Sequence, residues 1–185
     1  MKRFFELMLS IVGLILTAPI LLVLVPAIRL TSSGPALFRQ ERVGKNRKPF
    51  ICYKLRTMAE GTKEAGTHEV SAASVTGIGR ILRKTKMDEI PQLWNVIRGE
   101  MSLVGPRPCL PGQQELIEAR DKRGVFDVLP GITGLGQVRG IDMSVPERLA
   151  ECDAEYVREQ SLSLDLRLLC DTVLGAGRED RVQST

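Results

Sequence analysis

Two adjacent carboxylates, Asp88 and Glu89, stand in a part of the sequence that is rich in cations. Arg83 and Lys86 precede them, and Pro91, a residue favoured in the first turn of a helix, follows. A carboxylate at a helix N-terminus beside cations is expected to be ionised. An ionised aspartate can attack phosphorus, and such a pair can also bind Mg²⁺, which prefers oxygen ligands and phosphate-bearing substrates. The same residues also suit a structural role, with Asp88 as a helix N-cap and Glu89 as a first-turn charge.

Arg107 lies between two prolines, Pro106 and Pro108, so its backbone is stiff. Rigid placement suits a guanidinium that grips phosphate with two hydrogen bonds, although an exposed loop arginine is the alternative. A basic stretch at 39–56 could supply further phosphate ligands. It could also attract anionic lipid at about 1 kcal/mol per charge near a membrane surface. Its charged residues are Arg39, Glu41, Arg42, Lys45, Arg47, Lys48, Lys54 and Arg56.

Composition excludes several other kinds of site. The four cysteines stand far apart without a CxxC spacing, and His68 is the one histidine, so a Cys/His zinc site or a Ser-His-Asp triad is not expected. The cysteines are predicted to be reduced residues of a cytosol-facing protein. Aromatic residues make up only 4% of the chain, which argues against a protein that binds nucleic acid by base stacking.

The elements that position these residues begin with an apolar segment. The run 7–28 contains no charged residue and is long enough to cross a bilayer core, whereas no small-residue cleavage site follows to indicate a signal peptide. Pro19 cannot donate to the carbonyl of Ile15, so a kink is expected there. Positive residues at both ends, Lys2 and Arg29 among them, favour two cytoplasmic ends over one crossing.

Hydrophobic periodicity and turn residues predict the remaining elements. Glycines at 131, 134, 136 and 140 are interpreted as structural turns or as points where backbone approaches closely. The predicted order is a strand within 50–57, a mobile loop at 59–76, two helices over 77–97 that meet near Asp88, an irregular loop at 105–108, a short helix at 112–122, a sharp turn at 130–134, a helical tail with Leu162, Leu166, Leu169 and Val173 on one face, and a frayed polar end.

Seven segments in order resemble a known family across almost the whole chain. KMDEIPQLWNV (86–96) and GEMSLVGPRP (99–108) resemble the signature of the bacterial sugar transferases, the monotopic phosphoglycosyl transferases. PGITGLGQV (130–138) resembles a second block of that family. Segments 38–44, 53–58, 153–156 and 161–165 resemble the others, and the length is similar to that of the small members without an added N-terminal membrane domain.

The resemblance implies a reaction. Asp88 would attack the β-phosphate of a UDP-sugar, UMP would leave, and polyprenyl (undecaprenyl) phosphate would then take the phosphosugar from the aspartate to start a lipid-linked glycan. Glu89 would assist, Asp88 and Glu89 would hold Mg²⁺, and Lys54, Arg83 and Arg107 match cationic positions around the site. The sugar would be an N-acetylated hexosamine derivative or a hexose. Such phosphoryl transfer depends on positioning and charge neutralisation more than on acid–base groups.

The resemblance also implies an α-rich α/β fold with short strands and amphipathic helices on the membrane surface. Its N-terminal helix would be re-entrant with a break at Pro19, although Ala18 stands where the family often has Ser. Residues 1–30 would form that helix, 31–177 a catalytic domain and 178–185 a polar tail. The site would face the cytoplasm at the bacterial inner membrane. A non-catalytic membrane-anchored scaffold is the alternative, and a nucleic-acid binder using 39–56 is a weaker one.

Overall fold

The computed structural model describes residues 2–62 and 74–176 of the chain. The first element, α1 (Lys2–Thr31), remains helical through Pro19 and Pro26, so the predicted break does not interrupt the helix. The Thr17 hydroxyl donates to the Gly13 carbonyl at 2.7 Å, a contact that often bends helices. A bend at Pro19 and a re-entrant path stay predictions. Most of the predicted mobile loop and the polar tail lie outside the described residues.

Among the described residues, α1 is the one helix that is long and apolar enough to cross a membrane, by length and composition. Most of its large apolar side chains are exposed, whereas Glu6, Ser10 and Ile28 are buried against the rest of the protein. Exposed apolar side chains also lie on three helices described below, at Ile81, Trp94, Leu162, Leu166 and Val173. The fold is therefore helix-rich with an apolar exterior, as expected of a protein that associates with membrane.

A β-hairpin follows α1. Strands β1 (Leu37–Val43) and β2 (Pro49–Leu55) pair antiparallel, with a short 3-10 turn at Lys45–Arg47 between them. The strand predicted at 50–57 is confirmed as β2. Its partner β1 was not predicted, because the polar Gln40 lies on the buried face between exposed Arg39 and Glu41, so the alternation of apolar and polar residues that indicates a strand is missing.

The predicted pair of helices is confirmed as α2 (Gly77–Thr85) and α3 (Gln92–Arg98), joined by a 3-10 turn at Met87–Glu89. Lys86 ends α2 in the left-handed conformation, with φ of 58°, and this reverses the chain into the turn. The face of α3 that packs inward carries Gln92, Asn95 and Val96, whereas its apolar stripe is only partly buried: Leu93 packs on the core and Trp94 is exposed.

Strand β3 (Ser102–Val104) pairs parallel with β4 (Gly131–Thr133). The turn predicted at 130–134 is therefore wrong for 131–133. These residues form β4, and local pattern does not reveal its partner β3, which lies far away in the sequence. The irregular loop at 105–108 follows β3, and the predicted short helix is confirmed as α4 (Gln114–Asp121). A 3-10 turn at Val125–Asp127 connects α4 to β4.

Three helices complete the protein: α5 (Leu135–Val138), α6 (Pro146–Glu159) and α7 (Leu162–Leu174). The predicted helical tail is confirmed as α7, but its leucine stripe does not face the core. Leu162 and Leu166 are exposed, and α7 packs inward through Asp165 and Leu168 instead. The main core joins the hairpin, α3, β3, α6 and α7 through Phe50, Val96, Met101, Val104, Tyr156 and Leu168.

Candidate active site

Asp88 and Glu89 are buried side by side in the 3-10 turn between α2 and α3, with 7% and 8% of their surfaces exposed. Two facing elements supply cations to this turn: the end of β2 brings Lys54, and the loop after β3 brings Arg107. These residues are 35 and 18 positions from Glu89 along the chain. The structure therefore brings together four of the five charged residues that the sequence singled out for this site.

Glu89 is the carboxylate that carries the ion pairs. Its Oε1 accepts from Arg107 Nη2 at 2.6 Å and from Lys54 Nζ at 3.2 Å. Burial alone would raise the Glu89 pKa, but the charges of Arg107 and Lys54 outweigh it and hold the pKa well below its ordinary value. Glu89 is consequently ionised, and in turn its charge raises the pKa of Arg107.

Asp88 differs from its neighbour. Its Oδ1 is buried and has no hydrogen-bond partner within the described part of the chain. Burial and the charge of Glu89 raise the Asp88 pKa, while Lys54, Arg107 and Arg83 lower it in part. Burial thus opposes the ionising effect that the sequence predicts for this position, and the net shift of the Asp88 pKa is upward. The N-cap interpretation is wrong, since α3 begins after Pro91 and has no side-chain cap.

Lys54 owes its place to a buried amide. Asn95 of α3 accepts from the Tyr53 backbone N–H at 3.1 Å and donates to the Ile51 carbonyl at 2.7 Å, which ties the edge of β2 to α3. Burial and the nearby Arg107 charge lower the Lys54 pKa. The ammonium is therefore a poorly hydrated donor beside Glu89, available to bind a phosphate oxygen.

Two arginines support the loop that carries Arg107: Arg120, which the sequence did not single out, and Arg42, which it placed only within the basic stretch 39–56. Arg120 is 1% exposed, pairs with Asp153 at 2.7 Å, and donates to the Arg107 carbonyl at 2.9 Å. Arg42 donates to the Pro108 carbonyl at 2.9 Å, and burial together with the Arg107 charge lowers its pKa to about 10. No local spacing reveals Arg120 with Asp153, because they lie on separate helices.

Arg83 lies at the edge of the cluster. Its Nε donates to the Thr57 hydroxyl at 3.2 Å. Its charge nevertheless lowers the Asp88 pKa, so it contributes to the field at this site.

The position of the loop that carries Arg107 depends on the close approach of two backbone segments, at Gly105 and Gly131. A Cβ on Gly131 would lie 2.1 Å from the Gly105 nitrogen, and one on Gly105 would lie 2.4 Å from the Leu129 carbonyl oxygen. No other residue fits at either position without a shift of backbone. The glycines around 131 and 105 therefore serve close approach between two chain segments.

The carboxylate oxygens of Asp88 and Glu89 fit a cation that is bound by substrate as well as by the protein. Within residues 2–62 and 74–176, no cluster of three or more His, Cys, Asp or Glu side chains could enclose a metal. Mg²⁺ commonly uses one or two carboxylates together with substrate phosphates and water. The unpartnered Oδ1 of Asp88 matches that pattern, whereas Oε1 of Glu89 already bears two cations.

The arrangement suits chemistry at a phosphate group. A carboxylate oxygen without a partner stands beside Lys54 and Arg107, which can neutralise phosphate oxygens. The site contains no histidine among its described residues that could act as a general acid or base. Transfer to and from an anionic nucleophile requires none.

Comparison with known proteins gives an independent result. The family model described as bacterial sugar transferase matches residues 1–178. The uncharacterized sugar transferase EpsL of Bacillus subtilis is 38% identical over 185 residues, which cover 100% of this chain and 91% of that protein.

Two further relatives have names that state a substrate. The UDP-glucose:undecaprenyl-phosphate glucose-1-phosphate transferase of Caulobacter vibrioides is 39% identical over 181 residues, or 93% of this chain and 68% of that protein. The UDP-galactose-lipid carrier transferase of Erwinia amylovora is 38% identical over 192 residues, or 94% of this chain and 39% of that protein. The two names give different sugars.

Proposed function

This chain belongs to the bacterial sugar transferase family, and we propose that it transfers a sugar-1-phosphate from a UDP-sugar to undecaprenyl phosphate by way of Asp88. The observation that carries the proposal is the buried, unpartnered Oδ1 of Asp88 beside two cations. A structural aspartate at this depth would be expected to have its oxygens satisfied.

The reaction proceeds in two displacements at one phosphorus atom. In the first, an Asp88 oxygen attacks the phosphorus that bears the sugar, the bond from that phosphorus to the UMP oxygen breaks, and UMP leaves with the bonding electron pair. In the second, an oxygen of undecaprenyl phosphate attacks the same phosphorus and the carboxylate leaves. Both attacking groups are anions, so no proton is transferred.

Glu89 acts by holding the cations rather than by attacking. Its ion pairs with Arg107 and Lys54 fix both donors beside Asp88, where they can bind oxygens of the diphosphate. Arg83 adds positive potential from the rim. Mg²⁺, held by Asp88 and the substrate with Glu89 nearby, would neutralise phosphate charge and so favour departure of UMP.

We also propose that the protein lies on the cytoplasmic face of the inner membrane, with both ends of α1 on that side. Lys2 near one end pairs with Asp165 of α7 at 2.8 Å. Ile28 near the other end is fully buried in a cluster with Leu55 and Leu82. Because one body binds both ends, a helix that crosses the bilayer would require that body to cross with it.

The experiment is mass spectrometry of the purified protein mixed with UDP-sugars and Mg²⁺ but no acceptor. A panel of UDP-glucose, UDP-galactose and N-acetylated hexosamine derivatives covers the proposed donors. We expect a phosphosugar adduct on Asp88, UMP in equal amount, and loss of the adduct when undecaprenyl phosphate is added.

Two variants complete the test. Asp88→Asn should form no adduct and release no UMP, while Asp127→Asn, an exposed aspartate, should behave as the wild type. An adduct at another residue, or full turnover in Asp88→Asn, would contradict the proposed role. Absence of UMP release with every donor would favour the non-catalytic scaffold.

A further inference from the structure

The charged first two turns of α1 hold the strand that leads to Arg107. Their side chains contact four consecutive residues, 101–104, which comprise β3 and the residue before it. Arg3 Nη1 donates to the Met101 carbonyl at 3.2 Å, Glu6 Oε1 accepts from the Ser102 hydroxyl and from the Leu103 N–H at 3.1 Å, and Lys2 Nζ lies 3.4 Å from the Val104 carbonyl oxygen.

Glu6 is a buried carboxylate in a helix that is otherwise apolar through its middle. It is 7% exposed, with Arg3 at 3.7 Å and Lys2 at 4.0 Å to offset its charge. Burial of a charge is costly unless hydrogen bonds compensate for the lost water. The compensating donors here come from β3, so the carboxylate is stable only where that strand meets α1.

Glu6 also completes the edge of a two-stranded sheet. Strand β3 pairs with β4 through Ser102 and Val104, whereas the N–H of Leu103 between them donates to Glu6 instead of to another strand. An edge strand with an unsatisfied buried N–H would be unstable. A side chain of α1 therefore takes the place of a neighbouring strand.

The same end of α1 contacts the last residue before the loop that carries Arg107. The Val104 carbonyl accepts from the Tyr156 hydroxyl at 3.0 Å and from Lys2, and Lys2 also pairs with Asp165. The next residue, Gly105, begins the loop whose Arg107 bonds to Glu89. Only Gly105 and Pro106 separate the strand held by α1 from that guanidinium.

We propose that Glu6 is a positioning residue for Arg107, so that the site is complete only when the N-terminal end of α1 is docked on β3. The consequence is that insertion of the membrane helix and assembly of the phosphate-binding site are coupled. This inference rests on the proposed function for its kinetic test, but its structural test does not.

The structural test is hydrogen–deuterium exchange of peptides that cover 101–109, in detergent or nanodiscs and without substrate. Glu6→Ala should increase exchange at the 103–105 amides by about tenfold, the effect of losing a charged hydrogen bond. Ser10→Ala is the matched control, because Ser10 is buried one turn further along α1 and its hydroxyl has no partner in the described part of the chain. It should leave exchange at 101–109 unchanged.

Two milder variants guard against misfolding. Glu6→Gln keeps an acceptor for the Leu103 N–H and should restore most of the protection, while Ser102→Ala removes one Glu6 contact without altering α1. Unchanged exchange at 103–105 in Glu6→Ala and Ser102→Ala alike would overturn the inference, whether or not the protein proves to be an enzyme.

The kinetic test is a double-mutant cycle on the rate of UMP release. Glu6→Ala should lower kcat/KM by at least about tenfold in the wild-type background but by less than about twofold in Arg107→Ala, since a residue that acts through Arg107 adds nothing once it is gone. Equal loss in both backgrounds would show that Glu6 supports the fold generally, and would refute its role through Arg107. Failure of the proposed function would appear separately, as no UMP release by the wild type.

Discussion

At the scale of single residues, the neighbouring carboxylates Asp88 and Glu89 have pKa values shifted in opposite directions because their surroundings differ. Glu89 is bound to Arg107 and Lys54, which keep its pKa low, whereas Asp88 has a bare oxygen and a raised pKa. A nucleophile must be ionised but not already neutralised by a tight ion pair. In the proposed reaction, Glu89 therefore holds the cations and Asp88 attacks phosphorus.

The raised pKa of Asp88 predicts an acid limit to the first step. In the proposed reaction Asp88 attacks only when ionised, so UMP release without acceptor should fall as pH drops through a pKa above the ordinary aspartate value of 3.8. Glu89→Gln removes the like charge beside Asp88 and should shift this limb to lower pH, while it also lowers the maximal rate because Arg107 and Lys54 lose their anchor.

The measurement is single-turnover UMP release against pH, which avoids titration of the acceptor phosphate. Glu159→Gln, at an exposed glutamate near the end of α6, is the control and should leave the limb in place. A limb that moves upward in Glu89→Gln would contradict the electrostatic account of Asp88.

Metal removal is a second prediction at this scale. The described carboxylates are too few to bind Mg²⁺ without phosphate ligands, so the ion should bind weakly to the free protein and more tightly with the UDP-sugar. EDTA should abolish UMP release and excess Mg²⁺ should restore it. Isothermal titration with and without UDP-sugar measures the coupling, and full activity in EDTA would remove the metal from the mechanism.

At the scale of elements, the loop that carries Arg107 depends on close contact between two backbone segments. The crossing of Gly105 and Gly131 leaves no room for a side chain, and Arg120 with Asp153 supports the loop on its other side. The loop is thus fixed by β3, β4, α4 and α6 together. This explains how a residue outside regular structure can hold a guanidinium at a defined point.

Gly131→Ala should therefore destabilise the protein and impair the site together. Its Cβ would lie 2.1 Å from the Gly105 nitrogen, an overlap that costs about 3 kcal/mol and lowers Tm by roughly 6–12 °C in a chain of this size. Gly112→Ala is the control, because a Cβ there meets no atom within 4 Å. Thermal unfolding of both variants checks the prediction, and equal Tm values would contradict it.

At the scale of the whole molecule, α1 is part of the enzyme rather than a detachable anchor. Its N-terminal end contacts β3, α3 and α7, its middle approaches Leu93 of α3, and its C-terminal end packs on α2. Large apolar side chains remain exposed along the rest of its surface. A helix held along the body in this way exposes a large apolar surface while both of its ends stay bound to the same body.

This packing predicts that both ends of α1 are inaccessible from outside intact cells. One cysteine is appended before Met1, which preserves the Lys2–Asp165 pair, and another replaces Arg29, in separate proteins that carry Cys170→Ser. A membrane-impermeant thiol reagent should label neither site until the cells are lysed. Labelling of the appended cysteine alone in intact cells would mean that α1 spans, while the chemistry at Asp88 could still hold.

Pro19 gives a further prediction for the same labelling experiment. Because α1 is helical through Pro19, a break there is not needed to keep both ends on one side if the docking contacts suffice. Pro19→Ala should then leave the labelling pattern unchanged, and only its combination with loss of the Lys2–Asp165 pair should expose the N-terminal end. Exposure in Pro19→Ala alone would assign the topology to the proline.

The sequence by itself determined the features that depend on local order. The adjacent pair at 88–89, the stiff loop around Arg107, the long apolar segment and the helices α2, α3, α4 and α7 follow from residue type, spacing and periodicity. Recognition of the family followed from the order of short motifs along the chain, and the family match over 1–178 confirms it.

Only the tertiary structure decided which groups meet and what their charges become. Lys54 and Arg107 reach Glu89 across 35 and 18 residues, Arg120 finds Asp153 on another helix, and Glu6 finds β3 nearly a hundred residues away. Local pattern also misassigned 131–133, because a parallel strand is defined by a partner that lies far away in the sequence. The pKa of Asp88 is shifted upward for the same reason, although its sequence neighbours favour the ionised form. Desolvation depends on the folded surroundings and not on neighbouring residues in the chain.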